Sequence, residues 1–140
     1  MIIIADMENT KPGLLTLCIS LATGIALGAL GAHGLNPLMD DNQQDIWEKA
    51  VFYQLINTVA LIALNGRFNT TQNKLPRIGR YLIFNGLILF SGTLYLLATR
   101  HLVPWPAIKL IGVLTPVGGV LMITGWVMTG IGLKGSSSNH

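Results

Sequence analysis

Four stretches of this chain are almost free of charge over a membrane-crossing length, and that constrains it more than any other feature. A bilayer core about 30 Å thick is crossed by about 20 helical residues. The stretches are Leu14 to Leu35, about Ile46 to Leu64, Tyr81 to Thr99, and Leu110 to Leu133. In the second, Glu48 and Lys49 fall in the first turn and the uncharged part begins at Ala50. The runs are continuously apolar rather than alternating, which argues against a transmembrane barrel. Only 11% of the residues are charged and 51% are hydrophobic. A soluble domain of this size carries about 25% charge to cover its large surface. The expected fold is an all-α membrane protein, a bundle of four transmembrane helices forming a single domain over residues 1–140. Flexible tails are expected at 1–12 and 134–140. The first run is longer than a signal-peptide core and has only Lys11 before it, so it is expected to be retained. Met7 makes as good a start as Met1.

The connections set the orientation. With four crossings, the N-terminus, the second connection (65–80) and the C-terminus share one side, which holds Lys11, Arg67, Lys74, Arg77, Arg80 and Lys134. The other side holds Lys49, Arg100 and Lys109. Positive charge favours the cytoplasmic side. The reading is therefore a multi-pass protein of the bacterial cytoplasmic (inner) membrane with both termini cytoplasmic. In the first connection, Asp41 followed by Gln44 resembles a capping box, so the second helix is expected to begin before the membrane. Asp45 and Lys49 are an i,i+4 pair in the favourable order.

Small residues recur at helical spacing. Ser20, Gly24, Gly28 and Ala32 follow one another at four-residue steps, Gly24 and Gly28 forming a GxxxG, and are expected to pack against another helix. The last helix carries Thr115, Gly118, Met122, Gly125, Thr129 and Gly132 at heptad spacing. Pro116 there removes a backbone donor to Gly112 and predicts a kink, with Gly118 or Gly119 against a neighbouring helix. Thr115 can offer its hydroxyl to the freed carbonyl, and Ser91, Thr93 and Tyr95 are the donors expected from the third helix.

Polar residues inside the apolar runs are the other signal. Tyr53, Gln54 and Asn57 on the second helix, with Ser91 and Tyr95 on the third, form a candidate polar pocket, or simply interhelical hydrogen bonds. His33 and His101 both fall at the outer side and are expected to cluster with Trp47, Glu48 and Trp105 in interfacial contacts rather than as a metal centre. Cys18 cannot form an intramolecular disulfide. The chain shows no nucleophile motif, phosphate loop or CxxC, and no charge deep in a span. No catalytic residue, cofactor or metal is expected. Dispersed basic residues argue against nucleic acid.

Four blocks in order resemble one family. Gly28-Ala29-Leu30-Gly31-Ala32-His33-Gly34-Leu35 looks like its GAxGAHxL signature. Tyr53-Gln54, Phe90-Ser91-Gly92-Thr93-Leu94-Tyr95, and Thr115-Pro116-Val117-Gly118-Gly119 with Gly125-Trp126 follow. The chain resembles, over about residues 14–133, the YgdD-like membrane proteins, the domain-of-unknown-function 423 family, which includes the eukaryotic transmembrane protein 256. Where that family usually has a histidine a few residues after Tyr-Gln, this chain has Asn57. The resemblance implies an architecture and carries no activity with it. The chemistry-poor spans favour a non-enzymatic structural or accessory component that packs with itself or with a larger membrane complex, in contact with membrane lipids. An oligomeric small-solute or ion transporter is the alternative, and a redox or quinone accessory the second alternative.

Overall fold

The computed structural model describes residues 12–70, 72–102 and 108–137, with side chains described up to 102 and from 111 to 134. The N-terminal segment through Lys11 and the expected interfacial Trp105 lie outside the described residues. Among these residues the structure is all-helical: α1 (Leu14–Ala29), α2 (Asp41–Ala63), a short α3 (Asn65–Thr70), α4 (Lys74–Ala98) and α5 (Ile108–Ser137). α1 does not stop at Ala29. It widens into a π-helical segment, Leu30–Leu35, and tightens into a 3-10 turn, Asn36–Leu38. At 1.5 Å per residue, the 25 residues of Leu14–Leu38 extend about 37 Å, enough for a bilayer core.

Among the described residues three helices are long and apolar enough to cross a membrane: Leu14–Leu38, Lys74–Ala98 and Ile111–Lys134. α2 is nearly as long at 23 residues, but Asp41, Asp45, Glu48 and Lys49 occupy its first turns and Gln54 and Asn57 lie further along. The element boundaries depart from the charge-based ones. α4 begins at Lys74, well before Tyr81, because Asn73 caps it by accepting from Leu75 N at 3.0 Å, and Pro76 is harmless in a first turn. α5 runs on through Lys134 to Ser137, into the expected tail. The capping box of α2 is one residue earlier than the sequence pattern suggested. Gln43 N donates to Asp40 Oδ1 at 2.8 Å, and Asp40 N donates to Gln43 Oε1 at 3.0 Å. Both registers fit the pattern; the extended backbone at Asp40 (φ −73°, ψ 167°) selects this one.

Each long helix packs chiefly on the next in chain order. Contacts between α1 and α2 run Ser20 to Thr58, Gly24 to Leu55 and Gly28 to Val51, so the two are antiparallel. Trp47 against Tyr95 and Tyr53 against Phe90 show the same for α2 and α4. The α4–α5 pairing is the most extensive. A small apolar core of Leu17, Leu61, Phe68 and Ile83 closes the end where α1 and α4 begin, with Phe68 supplied by α3.

The α4–α5 seam is governed by backbone proximity. A Cβ on Gly118 would stand 2.6 Å from Phe90 N and 2.8 Å from Gly86 O; one on Gly125 would stand 2.6 Å from Gly79 O. Gly132 abuts Pro76, and Thr115 Oγ1 meets Thr93 Oγ1 at 2.7 Å. The partners of the predicted stripe are thus Pro76, Gly79, Ile83, Gly86, Phe90 and Thr93, whose alternating three- and four-residue steps mirror it. Heptad spacing keeps one seam facing its neighbour along a helix pair. Of the two glycines expected against a neighbouring helix, Gly118 makes the close approach and Gly119 the looser one. Its nearest neighbour is the Phe90 ring at 3.8 Å, ordinary contact, because it lies about 100° round the helix from Gly118.

The α1 stripe also ends differently. Gly24 is buried and Gly28 half-buried, but Ala32 is exposed and Gly31 is buried against Trp47. Four-residue steps on a 3.6-residue helix drift by about 40° each, so Ala32 stands about 120° from Ser20 and Gly31 only about 20°.

Candidate functional site

The polar side chains of α2 organise the middle of the molecule. Gln54 is buried and uses both its amide hydrogens on α1: Nε2 donates to the Ser20 carbonyl at 2.8 Å and to Thr23 Oγ1 at 3.1 Å. Its Oε1 accepts from the Tyr95 hydroxyl of α4 at 2.8 Å. One carboxamide therefore ties three helices. One turn on, Thr58 Oγ1 lies 3.1 Å from Ser20 Oγ. Asn57 points elsewhere. Its Nδ2 donates to the Tyr53 carbonyl at 2.9 Å and its Oδ1 accepts from Trp126 Nε1 of α5 at 2.8 Å. In an apolar surround each of these groups would be costly without a partner.

A cavity of about 180 Å³ opens beside this network, walled by Ser20, Gln54, Leu87, Ile88, Ser91, Gly92 and Tyr95. It exceeds the roughly 15 Å³ one water requires. Ser91 is 3% exposed, and its hydroxyl has no partner among the described residues. The walls offer hydroxyls and a carboxamide, suited to hydrogen bonding with a neutral polar group, and no charge. Of the candidate pocket, then, Gln54, Ser91 and Tyr95 meet at one cavity. Tyr53 lies on another face, exposed, with its ring 4.9 Å from that of Phe90. Asn57 belongs to the α2–α5 contact.

The expected donors to α5 are divided as well. Thr93 Oγ1 donates to its own Phe90 carbonyl at 2.9 Å. Its single proton is thereby used, so Thr115 is the donor in the Thr93–Thr115 bond. Tyr95 serves Gln54 instead of α5. Pro116 itself is exposed, within a helix that continues on both sides.

The interfacial group is dispersed. Trp47 turns inward, 5% exposed, with Nε1 donating to the Leu27 carbonyl at 3.0 Å and its ring 4.7 Å from that of Tyr95. Burying the indole while satisfying its N–H explains this. His101 reaches the Leu38 carbonyl with Nε2 at 2.6 Å, linking the end of α4 to the α1–α2 connection. His33 and Glu48 are exposed, Glu48 beside Gln44. No group of three or more His, Cys, Asp or Glu suited to a metal gathers among the described residues.

Two features escaped the sequence reading. The Asn57–Trp126 bond joins residues 69 apart, and no spacing rule links them. Arg80, counted as a loop residue, is 4% exposed on the second turn of α4. Its helical register with Arg77 and Tyr81 was the available signal.

The family described as protein of unknown function (DUF423) matches residues 27–119. The chain is 41% identical over 104 residues to a UPF0382 membrane protein of Staphylococcus aureus (strain bovine RF122 / ET3-1), covering 74% of this chain and 80% of that protein. It is 39% identical over 112 residues to a UPF0382 membrane protein of Staphylococcus haemolyticus, covering 80% and 84%. A third, from Staphylococcus saprophyticus, is 40% identical over 108 residues, covering 77% and 84%. No solved structure matches the chain.

Proposed function

The chain belongs to the DUF423 family of membrane proteins, and on that footing we propose that it is a non-enzymatic four-span component of the cytoplasmic membrane that works by assembly, with itself or within a larger membrane complex. The carrying observation is the way the polar groups of its apolar helices are used. Gln54, Asn57, Thr58, Thr93 and Trp47 are each bonded to a neighbouring helix, which supports a rigid unit rather than one that alternates between states.

The fourth crossing is supported by antiparallel packing. α2 packs on α1 from Trp47 to Thr58 and on α4 from Trp47 to Gln54, which supports its crossing the membrane beside them. On this reading its charged first turns sit at the outer interface, and the excess of Lys and Arg on the other side favours cytoplasmic termini.

The test is purification in mild detergent with light scattering and mass spectrometry of co-purifying proteins, alongside flux assays in liposomes. The expected result is a particle holding more than one 15.1 kDa chain, or a reproducible partner, and no solute flux. A monomer without partners that conducts a solute in a Gln54-dependent manner would replace this reading with the transporter one. The cavity at Ser91 is the observation that favours that alternative.

A further inference from the structure

At the end of the molecule where α4 begins, Arg80 is nearly buried and has no carboxylate partner among the described residues. The ion pair seen among the described residues, Asp45–Lys49, lies on α2's exposed first turns. The Arg80 guanidinium instead has neutral neighbours. One terminal nitrogen donates to the Pro12 carbonyl, the other approaches Asn69 Oδ1 at a long 3.4 Å, and the group lies 5.5 Å above the Phe68 ring. Its Nε is buried with no hydrogen-bond partner. A desolvated guanidinium left without countercharge is costly, and its fork of donors matches a carboxylate or phosphate.

Beside it opens a cavity of about 120 Å³, walled by Phe68, Asn69, Arg77 and Arg80. Arg77 stands three residues before Arg80 on the same helix face and lines the same cavity. The cavity adjoins the N-terminal turns of a 25-residue helix, whose dipole adds positive potential. The connection from 65 to 80 contributes Arg67 and Lys74 and no acid. It lies where the apolar part of α4 begins, which is where a helix that crosses a membrane meets the lipid headgroups.

We propose that Arg77 and Arg80, with Asn69 and Phe68, form a site for a phosphate oxyanion, carried by an anionic phospholipid headgroup or by soluble phosphate. The phosphate oxygens take the countercharge position beside Arg80, with Arg77 as the second donor and the Asn69 amide as a neutral one. The Phe68 ring backs the Arg80 guanidinium and keeps it oriented. The site is independent of the assembly reading and needs no partner protein.

The experiment uses the full chain in a neutral detergent, with phosphatidylglycerol, phosphatidylcholine and inorganic phosphate as probes. Native mass spectrometry and thermal unfolding are the readouts. Phosphatidylglycerol is expected to remain bound and to raise the melting temperature, and phosphatidylcholine is not. Asn69→Asp puts a carboxylate beside Arg80. It is expected to stabilise the lipid-free protein and to weaken phosphatidylglycerol binding about tenfold, a pair of effects that loss of a merely structural contact does not produce. Arg77→Gln is expected to weaken binding by a similar factor with helix content unchanged, so the test stands even if Arg80→Gln fails to fold. Arg77-dependent binding of inorganic phosphate without phosphatidylglycerol supports the site and assigns its soluble source. Equal binding of the two lipids, or unchanged affinity for both anionic probes in both variants, overturns the proposal.

Discussion

Gly125→Ala isolates what holds α4 and α5 together. The added Cβ meets Gly79 O at 2.6 Å, Ile83 Cγ1 at 2.7 Å and Ile83 N at 2.9 Å, and two of these are backbone atoms that no rotamer change can clear. Ordinary contact starts at 3.4 Å, so the helices must part by about 0.8 Å along the line to Gly79. A gap of that size forfeits between about a quarter and a half of the dispersion energy of each contact it opens. Overpacking of this kind costs about 1–3 kcal/mol. The control is Gly112→Ala on the same helix, where nothing lies within 4 Å of the new atom. Both substitutions gain the same helix propensity, about 1 kcal/mol for Ala over Gly. That term cancels, and the stability difference between the variants reads the clash alone, about 1–3 kcal/mol. The assay is unfolding in mild detergent followed by circular dichroism. Gly79→Ala meets Gly125 O at 2.5 Å across the same contact, so the double variant is expected to lose less than the two single losses combined. Equal stability of Gly125→Ala and Gly112→Ala, or strict additivity of the pair, would refute backbone proximity as the basis of the seam.

Further outcomes follow from the polar network and the topology. Gln54→Leu removes bonds to α1 and α4 together and is expected to cost about 1–2 kcal/mol by the same unfolding assay, given about 0.6 kcal/mol per interhelical bond; wild-type stability would show that the bonds contribute nothing. Trp126→Phe leaves Asn57 Oδ1 unpaired, whereas Trp126→Phe with Asn57→Leu removes both partners, so a double-mutant cycle is expected to show coupling of about 0.5 kcal/mol or more. For orientation, a cysteine at Asn42 is expected to react with an impermeant reagent from outside the cell and one at Arg67 is not; the reverse pattern would invert the topology.

The long helices were legible in the sequence, though the short α3 was not, because lipid leaves so few options. Every backbone group in hydrocarbon must be bonded internally, so an uncharged run of that length is a helix whatever it packs on. The heptad stripe on α5 was equally legible, since Gly118, Gly125 and Gly132 return to one face by helical geometry alone. Its partners Gly79 and Gly86 carry the same signal on α4.

Other decisions were made only by tertiary contact. The capping box at Asp40 was indistinguishable in pattern from one at Asp41. α4 could be read as starting at Tyr81 because charge marks where lipid ends and not where a helix ends; Asn73 and the cover that Pro12, Phe68 and Asn69 give Arg80 decide the difference. Tyr53, Gln54 and Asn57 look alike as polar residues in one run, yet one faces outward, one ties α1 to α4, and one meets Trp126. Periodicity sorts residues onto faces of their own helix, but it carries no information on which helix covers each face. That depends on contacts between residues far apart in the chain, such as Asn57 with Trp126 and Arg80 with Pro12, and only the folded arrangement brings them together.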